Sequence, residues 1–121
     1  MKLWYSNSSP YARKARAVVQ YHQLQDHVEL LLANSGLDKN SPHNLDNPLG
    51  RLPALQRENG EWLYNSSLIA EYLDHIGTQP SLYGNKETRW EILRLHYLAD
   101  GILVYEIFVA PEKCLRPQEQ W

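Results

Sequence analysis

Three short stretches of the chain place groups that could hold an anion or a peptide backbone. The first is "YSNSSPY", Tyr5 to Tyr11, in which Ser6, Asn7, Ser8 and Ser9 stand directly before Pro10. A helix uses one N-cap, and proline suits a first helical turn because its missing N–H costs nothing there. Ser9-Pro10 therefore reads as a helix entrance with hydroxyl groups to spare. A thiol brought to it would ionise more easily, because an O–H donor and the positive end of the helix dipole both favour the thiolate. One hydroxyl hydrogen bond to a charged partner contributes roughly 1.5 to 3 kcal/mol, enough for about one or two pKa units. The second stretch is Asn65-Ser66, where either residue can cap a helix and where free N–H groups, a hydroxyl and the dipole suit a carboxylate. The third is Leu52-Pro53. Proline there reads as the opening of a strand, or as a cis bond that turns the Leu52 N–H and C=O outward toward a peptide-like ligand.

The elements that must position these groups follow from pattern. "KLWY", Lys2 to Tyr5, is a short aromatic strand bounded by the polar cluster. Ala15, Val18, Val19 and His22 then fall at i, i+3, i+4 and i+7, which predicts a helix entered at Pro10. "HVELLLA", His27 to Ala33, is nearly continuous in apolar residues and reads as a second strand buried on both faces, as in a parallel pair. Strand, helix, strand implies a right-handed βαβ crossover. The segment from Asn34 to Gly50 is rich in turn formers and lacks periodicity, so a long functional loop is expected. "RLPALQRENGEWLYN", Arg51 to Asn65, gives two short strands around the hairpin signal Asn59-Gly60. A helix from Ser66 follows, with Leu68, Ile69, Tyr72, Leu73 and Ile76 on one face and Gly77 as its stop.

"GTQPSLYGNK", Gly77 to Lys86, has the composition of a linker. Beyond it the spacing predicts a long helix from about Glu87 to about Val109, with Leu95, Leu98, Ala99 and Ile102 on one stripe. Its second half, "ILVYEIFVA", is apolar nearly all round and demands burial on several sides, yet only "EKCLRPQEQW" follows Pro111 to cover it, so an exposed helix that invites association is expected. The expected organisation is a first domain at 1–77, a linker at 78–86 and the start of a helical domain at 87–121.

Composition narrows the function classes. The 121 residues are 43% hydrophobic and 21% charged, as in a globular protein with a real core. A formal charge of -2 and a pI near 6.2 supply no push toward nucleic acid or anionic lipid, and neither partner is expected. One cysteine, Cys114, allows no internal disulfide. No apolar run reaches signal-sequence or membrane-spanning length, so a cytoplasmic protein is the default expectation. His22, His27, His43, His75 and His96 lack metal-ligand spacing, and there is no G-x-S-x-G elbow. Arg13, Lys14 and Arg16 read as a solvated basic face. Trp90, His96, Tyr97 and Tyr105 suit either plain core or an apolar acceptor pocket.

Taken in order, "SSPYARKAR", "NPLGRLPAL" and "YNSSLIAEYLDH" on a βαβ-ββα framework resemble the N-terminal domain of the cytosolic glutathione transferases, and "YLADGI" is similar to bacterial members. The resemblance implies an α/β fold: a thioredoxin-like domain through Gly77, followed by an incomplete all-α domain. It implies that Ser9 activates the glutathione thiol, with Tyr5, Ser6 and Ser8 as rivals, and that Leu52, before a cis-Pro53, pairs its backbone with the cysteinyl part. Ser66 would hold the γ-glutamyl carboxylate. Asn65 stands where the family usually has an acidic residue or glutamine near the γ-glutamyl amino group, and Arg51 would lie toward the glycyl carboxylate. A serine at position 9 cannot form a mixed disulfide, which by the same resemblance points to thiolate activation for conjugation or a related reaction and away from thiol-disulfide exchange.

The implied co-substrate is glutathione, with a small electrophile as partner and no prosthetic group or metal. The full-length form would be a homodimer. The alternative is a non-catalytic glutathione-binding or protein-assembly module. By the same resemblance the chain is expected to be a fragment lacking most of its helical domain.

Overall fold

The computed structural model describes residues 1–33, 40–115 and 118. The start of the expected long loop, 34–39, and the residues around the chain's end, 116–117 and 119–121, lie outside the described residues. The element order is β1 (Lys2–Tyr5), α1 (Pro10–Tyr21), β2 (Glu29–Leu32), α2 (His43–Asp46), β3 (Ala54–Gln56), β4 (Trp62–Tyr64), α3 (Ser66–Ile76) and α4 (Arg89–Leu115). Two compact units divide it, Met1–Leu82 and Tyr83–Trp121.

In the first unit the strands form one four-stranded sheet in the order β2-β1-β3-β4. β1 runs parallel to β2 and antiparallel to β3, and β3 is antiparallel to β4. This is the βαβ-ββα arrangement expected from the sequence. Leu3 and Leu55 are register partners, both fully buried, and they share one core cluster with Ala15, Val18 and Val19 of α1 and Ile69, Ala70 and Leu73 of α3. The apolar stripes read for both helices are thus the faces that meet this core, except that Leu68 of the α3 stripe is exposed and Ala70 joins the core instead.

Three expectations change. β2 is an edge strand, not one buried on both faces: Leu30 is 43% and Leu32 52% exposed. The burial promised by its apolar run is found instead at its flanks, Val28 and Ala33. The described part of the turn-rich loop, 40–50, contains one helical turn, α2, too short to show periodicity. α4 begins two residues later than expected and continues through Pro111 to Leu115. Its apolar stripe is exposed among the described residues, as expected, with Leu98 57% and Tyr105 62% exposed. No other helix or strand is described in the second unit to pack against it.

The hairpin forms with a three-residue loop. Arg57 N–H donates to the Glu61 carbonyl at 2.8 Å, Gly60 N–H donates to the Arg57 carbonyl at 3.1 Å, and Gly60 supplies a φ of +88°, as in a turn followed by a left-handed residue.

A buried polar contact locks α1 to α3 and to the segment after it. His22 Nε2 lies 2.9 Å from Asp74 Oδ1, and His22 Nδ1 accepts from Gln79 N–H at 3.3 Å, which assigns the ring proton to Nε2. Asp74 also accepts from Ser81 Oγ at 2.6 Å and from Leu82 N–H at 2.7 Å. Burial alone would raise the Asp74 carboxyl, but the Ser81, Leu82 and His22 contacts outweigh it and hold the group below its ordinary value. Gly77 ends α3 as expected, yet with ordinary extended backbone (φ -72°). Glycine is needed for space, since a Cβ there would come within 2.1 Å of His22 Nδ1.

Two outcomes follow. Gly77→Ala should lower unfolding stability by about 1 to 3 kcal/mol in urea titration, because the imidazole and its partners cannot yield without losing their hydrogen bonds. Asp74, held low in the folded chain, contributes stability above its unfolded value of 3.8. That contribution disappears as pH falls through the still lower folded value. Unfolding measured against pH should therefore show an acid-side decline that is weaker in Asp74→Asn.

Candidate functional site

The strand register brings the three stretches read from sequence to one end of the sheet. Trp4 pairs with Leu31 on one side and Ala54 on the other, and Ala54 pairs with Tyr64. These residues form a row at the C-terminal ends of β1, β2 and β4 and the N-terminal end of β3. The Ser6–Ser9 connection leaves this row from β1, Leu52-Pro53 arrives at it before β3, and Asn65-Ser66 leaves it after β4. Neighbouring strands lie about 4.8 Å apart, so these connections are held within a few residue widths of one another. Arg51 stands just before Leu52 with its side chain exposed.

Ser9 is the N-cap of α1, its Oγ accepting from Ala12 N–H at 3.1 Å, with Pro10 in the first turn. Accepting that bond leaves the serine's own O–H free to donate elsewhere. The Leu52-Pro53 bond is cis. Pro53 is buried and Leu52 half-buried, and no hydrogen bond of Leu52 to another described residue is present.

Asn65 caps α3, its Oδ1 accepting from Ser67 N–H at 2.8 Å. Its φ of +73° with a ψ of 123° lies outside the left-handed helical region, a strained backbone for any residue with a β-carbon. Ser66 is buried at the first turn of α3, where N–H groups and the helix dipole favour an anion. The basic cluster on α1 is not simply solvated. Lys14 Nζ donates to Ser67 Oγ at 3.2 Å beside that same turn, and the Arg16 guanidinium sits 4.5 Å from the Tyr5 ring centre. Only Arg13 of the three is exposed. An open groove along α1 and β2, lined by Asn7, Arg13, Arg16, Gln20, Gln25 and Leu30, includes none of Ser9, Leu52 or Ser66.

Pattern reading overlooked a polar scaffold beneath the Leu52 connection. Trp4 Nε1 donates to Asp46 Oδ2 at 2.7 Å, and Tyr64 O–H donates to the Asp46 carbonyl at 3.1 Å, tying α2 to both β1 and β4. His43 is fully buried, with Nδ1 2.6 Å from Ser41 Oγ and Nε2 3.3 Å from the Gly50 carbonyl. Its lack of metal-ligand spacing was legible, but its pairing depends on a fold-back of seven residues that no periodicity announces.

A family model described as the N-terminal domain of glutathione S-transferase matches residues 8–76. The chain belongs to the glutathione S-transferase family. All six residues singled out by motif, Ser9, Arg51, Leu52, Pro53, Asn65 and Ser66, lie inside the matched span, whereas Tyr5 and Ser6 lie outside it. A glutathione transferase family member from Pseudomonas fluorescens Pf-5, solved with bound glutathione, is 36% identical with a TM-score of 0.87, over 99% of this chain and 60% of that one. The uncharacterised GST-like protein YibF of Escherichia coli K12 is 30% identical over 114 residues, 85% of this chain and 50% of YibF. A maleylacetoacetate isomerase of Pseudomonas aeruginosa is 32% identical over 91 residues, 74% of this chain and 43% of that enzyme. The glutathione S-transferase chain thus spans about half the length of these curated relatives. Among its described residues no group of His, Cys, Asp and Glu could hold a metal, and no helix is long and apolar enough to cross a membrane.

The Asn65 backbone gives a discriminating stability test. Asn65→Ala removes the cap and leaves a β-carbon at positive φ, and should cost about 1 to 3 kcal/mol. Asn65→Gly, which adopts that φ freely, should cost clearly less. Urea unfolding of the two variants side by side checks the order.

Proposed function

We propose that this chain binds glutathione along the shared end of the sheet and lowers the pKa of its thiol for attack on an electrophile. The observation that carries the reading is the convergence of the Ser9 cap, the Leu52 backbone and the α3 N-terminus on one row of paired strands. A family relative of known structure holds glutathione, and the chemistry of this chain's own residues suits the same ligand. Ser66 and the α3 N-terminus hold the γ-glutamyl carboxylate, with Asn65 beside the γ-glutamyl amino group. Leu52, before Pro53, offers its N–H and C=O to the cysteinyl backbone, and Arg51 lies toward the glycyl carboxylate.

The chemistry needs no group other than the bound tripeptide. With glutathione anchored at both ends, its sulfur faces the α1 entrance. The Ser9 O–H donates to the thiolate, and the first-turn dipole adds to the preference for negative charge. The proton leaves to solvent and the thiolate is the nucleophile. Hydroxyl donation at roughly 1.5 to 3 kcal/mol corresponds to a thiol pKa lowered by about one to two units.

A second reading, binding without turnover, draws support from the exposed apolar stripe of α4, which no other described helix or strand of the second unit covers. Turnover of a generic aryl halide by the purified chain separates the two.

Ultraviolet titration of the bound thiolate tests the role of Ser9. The wild-type complex should titrate about one to two units below free glutathione. Ser9→Ala should bind the tripeptide within a few-fold of wild type while its thiol returns toward the free value. An unchanged thiol pKa in Ser9→Ala would remove Ser9 from the role and bring Tyr5, Ser6 or Ser8 forward.

A further inference from the structure

We infer that Asn47 is a positioning residue for the ligand: it holds the Arg51-Leu52 backbone in the register that meets the cysteinyl part of glutathione. The inference rests on the glutathione reading above and adds a residue to it that never touches the ligand.

Asn47 is 1% exposed and every polar group of its side chain is spent on the segment leading to Leu52. Its Nδ2 donates to the Arg51 carbonyl at 2.6 Å and its Oδ1 accepts from Leu49 N–H at 2.9 Å, so one carboxamide clamps both ends of the Leu49–Arg51 stretch. Its backbone carbonyl accepts from Gly50 N–H at 2.9 Å, closing a turn in which Gly50 adopts a φ of +59°. That turn is held in place from outside by His43 through the Gly50 carbonyl. The residue before Asn47, Asp46, is anchored to β1 by Trp4 and to β4 by Tyr64. Hydrogen bonds to Asp46 and from Asn47, joined by the peptide bond between them, therefore connect the sheet to the Arg51 carbonyl.

The Arg51 carbonyl and the Leu52 N–H belong to the same peptide unit, which is planar. Fixing the carbonyl oxygen against Asn47 Nδ2 therefore fixes the direction of the Leu52 N–H, the group assigned to the cysteinyl carbonyl. A buried amide that satisfies a turn on both sides is costly to leave unpaired. Only a side chain with both a donor and an acceptor can do this here. Aspartate matches its shape and keeps the acceptor for Leu49, but it turns an oxygen toward the Arg51 carbonyl.

The test is calorimetric titration of reduced glutathione into the full chain, with backbone amide spectra of the same samples, for wild type, Asn47→Asp and Asn47→Ala. In both variants the dissociation constant should rise about tenfold. At saturation the glutathione-induced shift at the Leu52 amide should shrink while that at Ser66 persists, and the core amides of Leu3, Ile69 and Leu73 should stay in place. A purely structural role would not separate Leu52 from Ser66. Unchanged affinity, equal loss of both shifts, or collapse of the core amides in both variants would overturn the inference. A wild-type chain that gives neither heat nor shifts would instead defeat the glutathione reading itself, and the inference with it.

Discussion

The pairing of β1 with a parallel neighbour on one side and an antiparallel neighbour on the other is the constraint on which the rest depends. Because β1 and β4 run toward the Trp4–Ala54–Tyr64 row and β3 runs away from it, the connection after β1, the connection before β3 and the connection after β4 all meet at that row. A slip of one residue would turn Leu3 and Leu55 out of the core and invert every neighbouring side chain. Burial of those two leucines against α1 and α3 therefore fixes the place of Ser9, Leu52 and Ser66 together. The proposed glutathione site therefore depends on core packing through this register.

The groups proposed to meet the ligand also cap helices, and they can do both because a helix N-terminus has more donors than its cap can use. Ser9 and Asn65 each satisfy one N–H of their helices, and the remaining donors face the same end of the sheet. The connections that bear these groups are held by buried polar contacts. His22 and Asp74 fasten the far ends of α1 and α3, and Asp46, Asn47 and His43 shape the approach to Leu52. Such contacts add little net stability when complete and cost much when half broken, which suits positions where geometry matters more than stability.

Local chemistry made part of this legible in the sequence. Ser9-Pro10 and Asn65-Ser66 announce helix entrances in adjacent residue types, a cis bond is among the readings of Leu52-Pro53, and the apolar stripes of α1 and α3 repeat at helical spacing. The hairpin was legible from Asn59-Gly60. What escaped depends on distance along the chain. Asn47 and His43 act through turns between non-periodic residues, and Lys14 meets Ser67 across 53 positions. β2 misled for a different reason: an apolar run reads alike in a central strand and at an edge, and only the strand order distinguishes them. The composition of α4 demands a neighbour, and the described part of the second unit contains none.

The most direct test of the central claim is the amide spectrum of the wild-type chain recorded before and after addition of reduced glutathione. Shifts gathered at Ser9, Leu52 and Ser66, with the amides of α4 and the β2 edge unmoved, are the predicted result. Dispersed peaks that do not move, or shifts centred away from that end of the sheet, would contradict it.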